Sequence, residues 1–199
     1  MGQKQNFTGP EVSMMIEGQL FFDGDYLLAS SHLNLLAEDE NGFSWESRGV
    51  EVLVDAAPVE IQIGDTTQSG QIMSISAALE MDIGEHQISY RVCDALGNWS
   101  EEVELTGVVA GDAEILDYGN FPNPFEGETL IIYELTQPLD DVVIDIYTLS
   151  GYKVHTIDAF TARVSIGLGA IGYHEVPWNG RDRYEDFVAN GVYFYRIKG

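Results

Sequence analysis

Near its C-terminus the chain reads Val192-Tyr193-Phe194-Tyr195-Arg196-Ile197, a short run that is almost entirely apolar or aromatic. Apolar side chains fall on both faces of a strand built from this run. Such a pattern is expected for a central β-strand that is covered on both faces.

A period of two recurs along the rest of the chain. Successive side chains of a strand point to opposite faces, so alternating apolar residues give each strand one covered face. The alternating sets are Val50, Val52 and Val54; Val59, Ile61 and Ile63; Ile88, Tyr90 and Val92; and Thr129, Ile131, Tyr133 and Leu135. No long helical period accompanies them, and the sequence therefore predicts an all-β fold.

Turn residues divide these strands into two groups. Six to eight short strands within roughly 100 residues are typical of an immunoglobulin-like β-sandwich. The strand pattern stops near Ala110-Gly111-Asp112 and restarts in a segment that contains Pro122 and Pro124. We therefore expect two tandem immunoglobulin-like sandwiches, at 7–111 and 112–199.

The charge of the chain restricts its partners. The 199 residues carry 33 acidic and 9 basic side chains, a net charge of −24. Such an acidic protein repels phosphate backbones, so nucleic acid is not an expected partner. No apolar run approaches the roughly 18 residues that a membrane-spanning helix needs, so membrane insertion is not expected either.

The sequence predicts no catalytic residues. Cys93 is the single cysteine, and its nearest histidine is His86. Their odd separation places the two side chains on opposite faces of a regular strand, which excludes a thiol–imidazole pair there. The four histidines have no spacing typical of a zinc site. We therefore expect that this fragment is not an enzyme.

Two acidic turns could bind calcium. Asp23, Asp25, Asp39 and Asn41 place carboxylate and amide oxygens in turns, and calcium takes six to eight oxygen ligands. Neither turn matches a 12-residue EF-hand loop. The alternative is that Asp, Asn and Gly are present only because turns favour them.

Tryptophans beside turns could bind sugars. Trp45 and Trp99 are the candidate ligand-binding residues, because exposed aromatic rings can stack on carbohydrate. The alternative is that they are buried at the edge of the core, as tryptophan usually is. Trp178 also lies beside a turn, but its Trp-Asn-Gly context favours packing within the second sandwich.

The C-terminal residues 118–199 resemble the immunoglobulin-like module found at the end of many type IX secretion substrates and in the flagellar hook-capping protein. The shared features are an Asn-Pro-Phe entry, a Tyr-x-x-x-Gly strand end, a Trp turn and a Gly-Val-Tyr-Phe-Tyr-Arg strand. They correspond here to Asn123-Pro124-Phe125, Tyr147 to Gly151, Trp178-Asn179-Gly180 and Gly191 to Arg196.

Residues 10–109 are similar to the domain that precedes this module in gingipain-like cysteine peptidases, including the type IX secretion sortase. The matching segments are Pro10 to Gly18, Phe22 to Asp25, Glu38 to Gly42, Gly84-Glu85-His86 and Asp94 to Asn98. The catalytic cysteine and histidine of that family belong to a domain that is not part of this chain.

Together the resemblances imply a non-catalytic accessory region of a larger secreted or cell-surface bacterial protein. Its role would be that of a spacer, docking or secretion module. Its partners would be the upstream catalytic domain and the secretion machinery or another surface component. The alternative function is a carbohydrate-binding or calcium-dependent adhesion module.

Overall fold

The computed structural model describes residues 8–44, 49–64, 70–162 and 167–199, and all regular structure in these ranges is β. The chain divides into two compact units between Val109 and Ala110. Each unit is built from two antiparallel sheets, which confirms the predicted all-β fold of tandem immunoglobulin-like sandwiches. In the described part of the chain, no helix could cross a membrane.

The first unit has the strand order of an immunoglobulin-type sandwich. Its strands are β1 (Glu11–Ile16), β2 (Gln19–Leu20), β3 (Ser30–Glu38), β4 (Val50–Val54), β5 (Ala57–Pro58), β6 (Ile61–Ile63), β7 (Ile72–Glu80), β8 (Gly84–Val92) and β9 (Val103–Val109). One sheet has the order β2-β1-β3-β7-β6, and the other has the order β5-β4-β8-β9.

Apolar residues from both sheets form the core of this unit. Leu33 and Leu35 of β3 and Ile75 of β7 belong to the same buried cluster as Ile88 and Val92 of β8. These residues follow the period of two read from the sequence, because only one face of each sheet meets the other sheet.

The last strand of the first unit is hydrogen-bonded along both edges. On one side, seven residues of β9 pair with β8, from Gly84↔Val109 to Tyr90↔Val103. On the other side, the amide of Leu27 donates to the carbonyl of Val108 at 2.8 Å, and the amide of Val108 donates to the carbonyl of Asp25 at 3.0 Å. A loop therefore covers the outer edge of β9.

The second unit repeats this plan with fewer strands. They are β10 (Ile115–Phe121), β11 (Thr129–Leu135), β12 (Val143–Thr148), β13 (Lys153–Ile157), β14 (Gly172–Trp178) and β15 (Tyr193–Lys198). The sheets have the orders β10-β11-β14 and β13-β12-β15. By chain order and pairing, β10-β11-β14 corresponds to β1-β3-β7, and β13-β12-β15 corresponds to β5-β4-β8.

Aromatic residues fill much of the second core. The ring of Tyr133 stacks on His174 with centroids 4.8 Å apart, and its hydroxyl donates to the carbonyl of Leu168 at 2.7 Å. Trp178 is buried, as its turn context predicts. Its ring lies 5.4 Å from Phe125 and 5.8 Å from Tyr193, and its Nε1 donates to the carbonyl of Arg181 at 3.0 Å.

The expectation that 192–197 forms a central strand is wrong for the described structure. Strand β15 pairs with β12 from Val143↔Lys198 to Thr148↔Tyr193 and lies at the edge of its sheet. Its inward side chains pack against the core, whereas Phe194 on the other face is 54% exposed. The pattern of apolar side chains shows which faces of a strand are covered. It does not show which edges of the strand are hydrogen-bonded to neighbours.

A glycine on β9 provides a test of the first core. A Cβ added at Gly107 would lie 2.2 Å from Cδ1 of Leu27 and 2.9 Å from Cζ of Phe21, both buried residues. Gly107→Ala should therefore lower the free energy of unfolding by about 1–3 kcal/mol through overpacking. Gly119→Ala is the matched control, because its Cβ would meet Ile132 at an ordinary 3.6 Å. Urea unfolding should show a change within about 0.5 kcal/mol for this control. Equal losses in the two variants would contradict the packing of β9.

The buried His174 should make stability depend on pH. Burial lowers the pKa of its imidazole, and a hydrogen bond to the carbonyl of Ala170 opposes this only in part. The folded state therefore favours neutral His174, so its contribution is present above the ordinary pKa of about 6.5 and is lost as the pH falls below it. We expect wild type to lose stability relative to His174→Phe between about pH 7.5 and 5. Parallel pH curves of unfolding free energy for the two proteins would contradict this.

Candidate functional site

A buried carboxylate ties two loops of the first unit together. Asp94 is fully buried and accepts hydrogen bonds from Nδ2 of Asn41 at 2.7 Å and Nδ2 of Asn98 at 2.8 Å. It also accepts from the backbone amides of Leu96 and Asn98, at 2.9 and 2.8 Å. The side chain of Asp94 thus joins the loop after β3 to the loop after β8.

Asp39 lies beside this group, and the two acids have opposite pKa shifts. Burial alone would raise the pKa of Asp94, but the hydrogen bonds from Asn98, Asn41 and Leu96 outweigh burial and lower it. Burial and the nearby charges of Asp94 and Glu40 raise the pKa of Asp39. The oxygens of Asp94 are held by amide donors, as expected for a structural carboxylate.

The structure separates the four predicted calcium ligands into two places. Oδ1 of Asp23 accepts from the amide of Thr106 at 2.8 Å, and Oδ2 of Asp25 accepts from the amide of Phe22 at 2.8 Å. Asp39 and Asn41 belong to the Asp94 group instead. Across the described ranges, no three His, Cys, Asp or Glu side chains are arranged to hold a metal ion. Calcium binding stays a prediction.

One predicted sugar-binding residue can be placed. Trp99 is 40% exposed, and the guanidinium of Arg91 lies 4.6 Å from the centroid of its ring. Arg91 also donates to Glu51 at 2.7 Å, so its position over the ring is fixed by an ion pair. Trp45 lies outside the described residues. Carbohydrate binding also stays a prediction.

Cys93 and His86 are held in separate environments. The Cys93 thiol is buried, and burial together with the Asp94 charge raises its pKa. Nδ1 of His86 lies 2.7 Å from Asp55, and Nε2 lies 2.8 Å from the carbonyl of Asp82. These two acceptors raise the pKa of His86 and occupy both ring nitrogens. In this arrangement His86 cannot take a proton from the thiol.

An apolar groove follows the outer edge of β15 in the second unit. Its volume is about 440 Å³. Its walls come from β10 on one side and β15 on the other. The lining residues are Ile115, Tyr118, Tyr193, Phe194, Tyr195, Arg196 and Ile197. Tyr118 is 71% exposed at its rim, and burial together with the Tyr118 phenol raises the pKa of Tyr195.

A charged cluster lies on the outer face of the sheet β13-β12-β15. Asp145 on β12 is only 1% exposed and lies between Lys153 and Lys198. Its carboxylate also accepts from the hydroxyls of Thr156 at 2.8 Å and Tyr147 at 3.1 Å. Burial would raise the pKa of Asp145, but these donors, led by Lys198, lower it well below its usual range. The cluster fixes β15 against β12 across its solvent-facing side.

The groove lies beside the edge of β15 that has no paired strand within the described residues. The edge of β15 offers backbone hydrogen-bonding groups, and the groove offers an apolar surface beside them. Sequence reasoning missed this site, because Ile115 and Tyr118 are separated from β15 by some 75 residues of sequence. The available signal was the apolar character of 192–197 on both faces.

Comparison with known proteins gives distant likenesses only. No known family matches the sequence, and no curated protein is similar to it. Among solved structures, dimeric latent PorU from Porphyromonas gingivalis is 21% identical over 98% of this chain, with a TM-score of 0.47. This chain spans 19% of the length of that PorU chain.

Two further solved structures are similar at lower scores. The D00-D0 domain of intimin is 16% identical with a TM-score of 0.30, covering 84% of this chain and 85% of that one. BcpA, the major pilin subunit of Bacillus cereus, is 9% identical with a TM-score of 0.25, covering 87% and 56%. Likenesses at this level assign no function.

The Asp94 group allows a test of whether its acids are structural. Asp94→Asn should lower the free energy of unfolding by about 2–3 kcal/mol. The new side chain would place an NH₂ group, itself a donor, in a buried site where four donors now point at the two carboxylate oxygens. Asp39→Asn is the matched control and should cost less than about 1 kcal/mol, because the side-chain oxygen of Asn can still accept the hydrogen bond that the amide of Asn41 donates to Oδ1 of Asp39. Denaturant unfolding measures both, and equal costs would contradict this account.

A cation titration of the same proteins tests the calcium prediction. If the acids serve only the turns, calcium and magnesium should shift the thermal midpoint equally. A rise specific to calcium that disappears in Asp39→Asn would instead support a calcium site.

Proposed function

We propose that this chain is a non-catalytic accessory region of a larger secreted or cell-surface bacterial protein, a gingipain-like peptidase or a type IX secretion sortase. It acts as a spacer, docking or secretion module. The observation that carries the proposal is that both sandwiches use their apolar rows to fill closed cores. Loops and strand edges are then the surfaces at which such a module meets a partner.

The motifs that carry the family resemblance have a shared structural role, which supports the assignment of the second unit. Phe125 of the Asn-Pro-Phe entry packs on Trp178 of the Trp turn. Gly180 follows with φ of +65°, and a Cβ there would lie 3.4 Å from Phe125. Segments far apart in sequence thus build one end of the core. Their spacing in the sequence therefore reflects the packing of this core.

The geometry around the candidate nucleophile also favours a non-catalytic role. Cys93 is buried with a raised pKa, whereas reactive cysteines are accessible and have a lowered pKa. The acidic composition, with 33 acidic and 9 basic residues in the chain, favours solubility and disfavours adsorption to anionic surfaces. Both features suit a module that presents or positions another domain outside the cell.

Antibodies raised against this chain provide the test. Applied to cells of the source organism, they should label the surface of intact cells or detect protein in the medium, with a cytoplasmic enzyme as the internal control. On immunoblots they should detect a polypeptide longer than 199 residues. Signal confined to the cytoplasm would overturn the proposal. Peptide hydrolysis by the purified chain that disappears in Cys93→Ala would overturn its non-catalytic part.

A further inference from the structure

We propose that Asn190 is a site of spontaneous covalent modification, at which the chain converts this asparagine to aspartate and isoaspartate through a cyclic imide. The attacking group is the backbone nitrogen of Gly191. The inference goes beyond the proposed function and does not depend on it, because the reaction needs no partner protein and takes only water as co-reactant.

The reaction balances without an oxidant or an enzyme. The nitrogen of Gly191 loses its proton and bonds to Cγ of Asn190, and ammonia leaves from the same carbon, which closes a succinimide ring. Water then opens the ring at one of its two carbonyl carbons. Attack at Cγ gives aspartate, whereas attack at the main-chain carbonyl carbon gives isoaspartate, in which the main chain runs through the side chain. Each event replaces a neutral amide by a carboxylate.

Glycine follows asparagine at three places in the chain, at Asn41-Gly42, Asn179-Gly180 and Asn190-Gly191. Asparagine is among the thermolabile residues. A glycine after it favours ring closure, because glycine has no Cβ to obstruct the forming ring and its backbone is the least restricted. The local chemistry of the three places is the same, so the folded structure decides which of them reacts.

The fold holds Asn41-Gly42 in place. Nδ2 of Asn41 donates to the carboxylate of Asp94 at 2.7 Å, and the amide of Gly42 donates to the carbonyl of Asp39 at 3.2 Å. Gly42 is also buried. Both the leaving nitrogen and the attacking nitrogen are therefore hydrogen-bonded, and the reaction requires that these bonds break first.

The fold also holds Asn179-Gly180. Oδ1 of Asn179 accepts from the amide of Arg181 at 3.2 Å, and the carbonyl of Gly180 accepts from the amide of Val188 at 2.9 Å. Gly180 is buried with φ of +65°, and a Cβ there would lie 3.3 Å from the carbonyl oxygen of Gly127. Rotation of this backbone toward the ring geometry would break the turn.

Asn190-Gly191 has neither protection. Both residues are exposed, and they lie in the connection between β14 and β15. Among the described residues, no hydrogen bond engages the side chain of Asn190 or the amide of Gly191. A Cβ built on Gly191 would meet no atom within 4 Å. The attacking nitrogen, the leaving group and the space for the ring are all available in the folded state.

The position of this site gives the modification a structural effect. The hydroxyl of Tyr193 donates to the carbonyl of Ala189 at 2.7 Å, and its ring lies 5.8 Å from that of Trp178 in the core. Asn190 and Gly191 therefore lie inside a short loop that this hydrogen bond closes. Isoaspartate lengthens the main chain of the loop by one methylene, whereas aspartate changes only the charge. Isoaspartate should therefore loosen the start of β15.

The experiment incubates the purified, folded chain at physiological temperature and mildly alkaline pH and maps its peptides by mass spectrometry over time. The peptide with Asn190 should convert at least about ten-fold faster than those with Asn41 and Asn179, because the latter react only after local opening. In denaturing urea the three rates should agree within about three-fold, since the unfolded chain exposes each place alike. The rate at Asn190 should rise with pH, because the attacking nitrogen must lose its proton.

Two glycine variants locate the attacking group. Gly191→Ala should slow conversion of Asn190 at least about ten-fold, because a Cβ obstructs ring closure. The fold has room for this alanine, since no atom lies within 4 Å of the added Cβ. Gly167→Ala is the matched control, because its Cβ also meets nothing within 4 Å but the residue is remote in sequence from Asn190. It should convert like wild type.

A third variant separates the two products. Asn190→Asp reproduces the aspartate product and should unfold at the same temperature as fresh wild type. Aged wild type that contains isoaspartate should unfold at a lower temperature, whereas Gly191→Ala aged in parallel should not change. Equal midpoints for aged wild type and Asn190→Asp would contradict the effect on β15.

Three outcomes would overturn the site itself. They are conversion of Asn41 or Asn179 as fast as that of Asn190 in the folded chain, conversion of Asn190 only in urea, and equal rates at Asn190 in wild type and Gly191→Ala.

Discussion

Each unit is held together by two rows of apolar side chains that face one another across a pair of sheets. In the first unit Leu33 and Leu35 meet Ile88, and in the second Ile131 and Tyr133 meet Ile144 and Ile146. Neither sheet could be stable alone, because each would leave one apolar face in water. Mutual burial therefore fixes the alternation along every strand. This burial does not constrain the edges of the sheets, so the two units can differ there.

The outer edges of the corresponding sheets do differ between the two units. In the first unit, residues 24–27 cover the outer edge of β9. In the second, β15 combines an unpaired edge, in the part of the chain that is described, with an apolar groove and a fixed charge pattern. The outer edge of β9 is thus covered, whereas β15 is paired on one edge only within the described residues.

The sequence predicted the fold well, because alternation reports directly which face of a strand is covered. It predicted the burial of Trp178 for a similar local reason. It could not predict that β15 lies at an edge, since a strand that is apolar on both faces can be central or can lie at an edge beside an apolar groove. The contact of Asn41 with Asp94 spans 53 residues, and no spacing rule connects such loops. Ile115 and Tyr118 join β15 for the same reason, through topology alone.

Native-state hydrogen exchange of the free chain examines the open edge of β15 independently of any ligand. Amides of β12 are bonded to neighbours on both sides and should exchange slowly throughout the strand. In β15, alternate amides should be protected by β12, and the remaining ones should exchange at nearly the rate of an exposed loop. Uniform protection along β15, equal to that of β12, would contradict the account, because it would mean that the edge is already paired.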